Sequence, residues 1–327
     1  MSGRSGIARV TAGAGLLALA GATAATVARY LPGLPGLSGD TWAMVTSFTD
    51  VGVLGYAVAL PCLGGAALLR PNRARVAAVV VTAALAALHL SWVVPRYVAD
   101  PGAAGSPPVR VLSQNMLFGG ADAADVVAAA QSADVLVVVE MTEPARSALA
   151  AAGIGERFSY QSGGPLPQTG AAGTRVYSRF PVRHAGPLDA GLGDRNWLVE
   201  LEVPVLGALT VVAVHPARPV RGGSGWAAEQ ERVRTLVPRR RTVVAGDFNA
   251  VDSHPGMRRF GRLGFRDSDE LVGAGWQPTY PAESRIPPLI GIDHILLSPD
   301  LTATAFRTVR VRGTDHRGVA ATVAPGA

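Results

Sequence analysis

Residues 242–249 read Thr242-Val243-Val244-Ala245-Gly246-Asp247-Phe248-Asn249. The short apolar run reads as a buried strand, and its end delivers an acid and an amide two positions apart into a cleft. The same pattern recurs along the chain. Asn115 follows Val109-Arg110-Val111-Leu112, Glu140 follows the apolar residues 135–139, and His215 follows residues 209–214. Asp293 follows Ile290-Gly291-Ile292, and Asp315-His316 follows Gly313-Thr314. Strand-like segments that each end in a chemically competent side chain are suited to converge on one site.

The chain has 327 residues, enough for one large domain with appendages. Its mean hydropathy of +0.26 is high for a wholly soluble protein, and the apolar excess lies in the first hundred residues. Every basic residue is Arg, with no Lys, which suggests coding bias more than a selected binding surface. The pI near 10.2 raises the question of nucleic acid, so the distribution of charge decides. Residues 1–108 carry a net +4 and the remainder only +2. The carboxy-terminal part therefore lacks the broad basic footprint of a nucleic-acid binder. Arg239-Arg240-Arg241 reads as a solvated turn before a strand. Cys62 is the single cysteine, which excludes an intrachain disulfide or a Cys-based zinc site.

Apolar stretches at 10–28, 51–69 and 76–94 each approach the roughly 20 residues a membrane-spanning helix needs. The first also suits a cleaved signal peptide. Arg4 and Arg9 precede it, and Arg70, Arg73 and Arg75 fill the short loop between the second and third. Both clusters are expected on the cytoplasmic side, which puts everything after residue 95 outside the cell. Asp50 and His89 are read as boundary residues with access to water, against the alternative of a proton or headgroup contact. Residues 1–94 are thus expected as a membrane anchor and 95–108, rich in Pro and Gly, as an extended linker. The remaining 109–327 alternate short apolar runs with Gly/Pro turns and a few helices. That pattern predicts an α/β domain, with two sheets packed face to face.

Residues 109–323 resemble the endonuclease/exonuclease/phosphatase superfamily. The resemblance rests on Gln114-Asn115, Glu140 in VVVVEMT, YSRFPV at 177–182, His215 in VVAVHP, GDFN at 246–249, IDHILLS at 292–298 and GTDH at 313–316. With the preceding spans and the PPLIGIDH stretch, the chain looks like a membrane-anchored bacterial branch similar to the VanJ-like teicoplanin-resistance proteins. The resemblance implies a four-layer αββα sandwich and metal-dependent phosphoester hydrolysis with Mg²⁺ or Mn²⁺. It implies Glu140, Asn115 and Asp315 on the metal side. Asp247 would position or deprotonate the attacking water, with Asn249 orienting it. His316 would contact the phosphate, with Asp293 fixing its tautomer, and His215 would donate a proton or stabilise charge. Many relatives carry an acid two positions after the Asn, and here that position is Leu117.

Each assignment has a plainer alternative: a capping carboxylate for Glu140, a turn amide for Asn115, an Asx-turn for Asp247 and Asn249. His294, adjacent to Asp293 on a strand, points the other way and is read as structural. His254 is read as a helix-start group. Arg175 and Arg195 suit either phosphate binding or a salt bridge.

The leading expectation is a phosphoesterase or pyrophosphatase acting at the outer membrane surface on a membrane lipid or another phosphorylated molecule. An extracytoplasmic nuclease and a silent membrane-bound binding protein are the rivals. Nucleic acid is the weaker partner class, given the balanced charge.

Overall fold

The chain divides into two units, Met1–Pro95 and Arg96–Ala327. The computed structural model describes residues 2–30, 39–100, 108–189, 191, 195–204, 206–219 and 224–326.

The first unit is helical, with helices Ser2–Tyr30, Gly39–Ser47, Gly52–Leu69 and Arg73–Val93. Three helices, over Gly6–Tyr30, Gly52–Leu69 and Arg73–Tyr97, are long and apolar enough to cross a membrane. Their large apolar side chains point outward, with Leu17 79% and Leu68 87% exposed. Small residues such as Ala22, Ala59 and Ala66 are buried instead, the pattern expected where helices pack closely in lipid. Pro61 sits inside its helix without ending it. His89 differs from the expected boundary residue. It is fully buried, its Nδ1 3.0 Å from Thr26 Oγ1, which in turn lies 2.6 Å from the Tyr56 hydroxyl. Polar groups inside an apolar bundle gain by partnering one another, as His89 Nδ1, Thr26 and Tyr56 do here.

The second unit contains strands β1 (Val109–Asn115), β2 (Val135–Val139), β3 (Tyr160–Ser162), β4 (Thr174–Ser178), β5 (Val182–Pro187) and β6 (Trp197–Val203). They are followed by β7 (Gly207–Val214), β8 (Thr242–Asp247), β9 (Arg266–Asp267), β10 (Asp293–Leu297), β11 (Leu301–Val309) and β12 (Gly318–Pro325). Two six-stranded sheets result, ordered β11-β12-β1-β2-β4-β3 and β5-β6-β7-β8-β10-β9. Among the described residues, only β1–β2 and β7–β8 pair in parallel, and every other ladder is antiparallel.

The two sheets face each other across a core of Val111, Val135 and Val137 from the first and Val211, Val243 and Ile295 from the second. The alternate residues Leu112, Leu136 and Val138 turn to the outer face of the first sheet, under the helices Ala123–Ala130 and Glu143–Ala151. Central strands buried on both faces explain why their sequences read as unbroken apolar runs. Helices and two sheets form the layered α/β sandwich expected from the sequence.

This topology places the polar strand ends together. In the parallel pairs, β1 with β2 and β7 with β8 finish at one edge. β10 and β12 run antiparallel to β8 and β1, so they begin at that same edge. Gly246 is required here. A Cβ on it would lie 1.9 Å from the Val214 carbonyl oxygen, and its φ of 151° is one that L side chains rarely adopt. The absent side chain lets β8 close against β7 immediately before Asp247 and His215.

The unit begins before β1. Asp100 N donates to Leu271 O at 2.9 Å, Gly275 N to Arg96 O at 2.9 Å, and Arg96 pairs with Asp252 at 3.0 Å. Within the segment read as linker, residues 96–100 thus bond to the α/β unit, while 101–107 lie outside the described residues.

Candidate active site

Asp247 occupies the centre of the gathered edge. It is the last residue of β8, faces Asp293 in the β8–β10 register, and is 2% exposed. Its Oδ1 accepts the Asn249 backbone N–H at 2.7 Å, an Asx-turn, and its Oδ2 accepts Asn115 Nδ2 at 3.0 Å. His215 Nε2 stands 3.8 Å and His316 Nε2 3.7 Å from the same Oδ2. Burial raises the Asp247 carboxyl above the ordinary carboxylate range, and the adjacent Asp293 charge adds to this against the pull of the two imidazoles.

Glu140 lies one residue beyond β2 with a left-handed backbone (φ 53°). Leu117 and Phe118, just past β1, are also left-handed, at 46° and 52°. Such conformations cost about 1–3 kcal/mol each. They turn the Phe118 N–H onto Glu140 Oε2 at 3.0 Å and the Leu117 N–H onto Asn115 Oδ1 at 2.8 Å. Glu140 Oε1 faces His215 Nε2 at 3.3 Å. Burial alone would raise the Glu140 pKa. The neighbouring His215 imidazole and the hydrogen bond from the Phe118 N–H outweigh it and hold the carboxylate below its usual range. Two buried carboxyl groups in one cleft are therefore pushed in opposite directions, the arrangement by which a single site keeps one group ionised and another ready to take a proton.

His316 completes the opposite wall. Its Nδ1 is 2.8 Å from Asp293 Oδ2, so Asp293 sets its orientation. Burial pulls the imidazole pKa down, but the charges of Asp293 and Asp247 prevail and hold it at about 10. The Tyr280 ring packs against it at 5.1 Å. Asp315 is half-buried, with Oδ1 3.8 Å from His316 Nε2 and without a hydrogen-bond partner.

Glu140, His215 and Asp247 present ligand atoms within 4.8 Å of one another, as do Asp247, Asp293 and His316, with Asp247 common to both groups. The Nε2 of His215 is buried without a hydrogen-bond partner. An orphaned nitrogen beside two carboxylates fits a divalent cation, which would supply the missing partner.

Of the residues singled out in the sequence, Asn115, Glu140, His215, Asp247, Asp293 and His316 come together. Asn249 is adjacent, its Nδ2 donating to Pro216 O at 3.0 Å. Asp315 lies at the rim, outside both ligand groups. Arg195 pairs with Glu229 at 2.9 Å, and Arg175 donates to Gly163 O at 3.1 Å. His254 immediately precedes the helix Pro255–Arg262, but its Nδ1 accepts from Val251 N at 2.8 Å and does not cap the helix.

Other positioning groups escaped the sequence reading. Asn196 Oδ1 accepts the His215 N–H at 3.1 Å, Thr279 Oγ1 accepts the Asp293 N–H at 3.3 Å, and Thr314 Oγ1 donates to Asn115 O at 2.9 Å. A search of strand beginnings as well as strand ends would have flagged Asn196, which directly precedes β6.

His294 points away from this cleft, as its alternation with Asp293 requires. Its Nδ1 bonds Asp267 and its Nε2 donates to Ala250 O at 2.8 Å. Burial depresses its pKa, yet the Asp267 charge and hydrogen bond, with Asp252, raise it to about 10. A raised folded-state pKa adds stability that is full below the unfolded value near 6.5 and is lost as pH rises through about 10. Thermal unfolding of the detergent-solubilised protein is accordingly expected to fall in Tm from pH 7 to 10.5, and His294→Gln to flatten that slope. Parallel slopes for parent and variant would refute the assignment.

The sequence pattern of the Endonuclease/Exonuclease/phosphatase family matches residues 112–316. None of the curated proteins compared with the chain matches it. Among solved structures, an endonuclease/exonuclease/phosphatase from Beutenbergia cavernae is similar with 21% identity and a TM-score of 0.52, over 68% of this chain and 72% of that one. One from Bacteroides vulgatus gives 14% and 0.54, over 68% and 100%. A 3′ phosphatase from Neisseria, bound to a product DNA hairpin, gives 16% and 0.50, over 65% and 98%. At these identities the likeness concerns the fold.

Proposed function

The chain belongs to the endonuclease/exonuclease/phosphatase family, and from that premise we propose that it is a membrane-tethered phosphoesterase or pyrophosphatase working at the outer membrane surface. Its substrate is a lipid diphosphate or phospholipid. The observation that carries this reading is the position of Asp247, shared between the Glu140–His215 group and the Asp293–His316 group.

Glu140, with His215 and Asp247 beside it, would hold Mg²⁺ or Mn²⁺, and Asn115 and Asp315 extend the metal side. When bound, such an ion neutralises charge on the phosphoryl oxygens. Asp247, with its raised pKa, takes the proton of the attacking water. Asn249 keeps that water in line. His316, protonated and fixed by Asp293, directs its Nε2–H to a phosphoryl oxygen. His215 stabilises charge on the leaving side.

The membrane assignment rests on the three apolar helices and on the arginines at 4, 9, 70, 73 and 75. With those arginines inside, the catalytic unit lies outside the cell. A tether of this kind favours a substrate confined to the same surface, through effective concentration. The near-balanced charge of residues 109–327 supports a lipid over a nucleic acid.

A substrate panel on the purified full-length protein tests this: polyprenyl diphosphate, phospholipid, and single- and double-stranded DNA, each with Mg²⁺ or chelator. Hydrolysis of the lipid substrates is expected with Mg²⁺ and none with chelator, read as inorganic phosphate from polyprenyl diphosphate and as a phosphomonoester from phospholipid. Cleavage confined to DNA would replace the reading with a nuclease, and no turnover on any substrate would leave a binding protein.

A further inference from the structure

Beside His316 opens a cavity of about 460 Å³ whose walls carry Asp125, Glu283, Arg310, Arg312 and Arg317. The charges are not evenly spent. Arg312 is held by Asp125 through bonds of 2.6 and 2.8 Å, and Glu283 accepts the Gly313 N–H at 2.9 Å. Arg310 and Arg317 have no carboxylate in ion-pair range among the described residues.

Their placement is unfavourable for the isolated fold. The β11–β12 ladder ends at Val309↔Gly318, so Arg310 and Arg317 are the next residues on two facing strands. Like charges at such positions destabilise a sheet. Arg317 is half-buried, and burial together with Arg310 depresses its pKa. Its backbone is fixed, with N–H donating to Thr279 O at 2.9 Å, the residue whose hydroxyl also holds the Asp293 N–H. Two guanidinium groups outside any ion pair are thus held at the base of the loop that carries His316, facing a cavity that His316 also lines and that keeps a net positive charge after Glu283 is counted.

We propose that Arg310 and Arg317 form an anion subsite for a second phosphoryl group, next to the one attacked at Asp247 and His316. The preferred substrate class is then a diphosphate rather than a single phosphodiester. This rests on the phosphoesterase reading above and assigns the substrate class within it. Guanidinium groups suit the task because they bind phosphate oxygens through paired, charge-assisted hydrogen bonds.

The test uses full-length protein in detergent and the variants Arg310→Gln, Arg317→Gln and their combination. With Mg²⁺, kcat/KM is compared between farnesyl diphosphate and bis(p-nitrophenyl) phosphate. The ratio is expected to drop about tenfold for each arginine removed, the scale of one charge-assisted hydrogen bond. In parallel, calorimetry in chelator measures binding of inorganic pyrophosphate and orthophosphate. The parent is expected to prefer pyrophosphate and the double variant to lose that preference. An unchanged kcat/KM ratio, or undiminished pyrophosphate binding, would overturn the subsite. Failure of the parent to hydrolyse either compound would sink the phosphoesterase reading alone, and the calorimetry would still decide the subsite. Arg310→Gln alters only an exposed side chain, so its result is independent of any folding defect at Arg317.

Discussion

Asp247→Asn is expected to lower metal-dependent turnover by about 10²–10⁴-fold, the usual range for loss of a positioned general base. The substitution keeps the volume of the side chain and its acceptor for the Asn249 N–H. It removes the proton acceptor and sets an amide donor against Asn115 Nδ2, which now donates to Asp247 Oδ2 at 3.0 Å. The fold is expected to survive. A carboxyl group whose pKa is raised by burial is costly to keep ionised, so its neutral isostere leaves Tm equal or higher. Activity and Tm measured on the same preparation separate the two effects. Turnover within tenfold of the parent, in a folded variant, would remove Asp247 from the proton-transfer role. His316→Ala is expected to follow Asp247→Asn in direction. It also strands the Asp293 carboxylate that now sits 2.8 Å from His316 Nδ1.

The centre of the sandwich was legible in the sequence because β1, β2, β7 and β8 are buried on both faces and so are written as apolar runs. The first polar residue after each run marks the point where the strand leaves the core. Glu140, His215 and Asp247 could be read from that transition, whereas Asn115 lies three residues past its apolar run, Asp293 opens β10 and His316 sits in the loop between β11 and β12. The edges of the sheets were not legible for the converse reason. β5 is half-buried to exposed along its whole length, β3 has two of its three residues exposed, and β9 is two residues long, so none carries an apolar signature. The left-handed backbone at Glu140 was equally hidden, since a hydrogen bond from the Phe118 N–H rather than local preference holds it. The pairing of Asp247 and Asn249 illustrates the limit. The sequence offered a catalytic dyad or an Asx-turn, and the turn is present with both side chains still bordering the cleft. His89 shows the same limit in the helical unit. Its distance from the ends of an apolar run was readable, but its hydrogen bond to Thr26, on another helix, was not.

Glu140→Gln is expected to raise the Mg²⁺ concentration for half-maximal activity by at least about tenfold, an effect reached even when only the partners of metal ligands are changed. Both oxygens of Glu140 are committed in the folded protein: Oε2 accepts the Phe118 N–H, and Oε1 stands 3.3 Å from His215 Nε2. A glutamine offers one acceptor, so its amide must face either a backbone N–H or an imidazole nitrogen, and it brings no negative charge. The depressed pKa of Glu140 means the parent carries that charge throughout the neutral range, which makes it the firmest anchor for a cation in the cleft. Asp247 and Asp293 remain, so activity at saturating Mg²⁺ is expected to fall less than the apparent affinity. That split distinguishes Glu140→Gln from Asp247→Asn, whose loss no metal concentration restores. A magnesium titration of Glu140→Gln that overlays the parent curve would show that Glu140 serves the turn at Phe118 and not the ion.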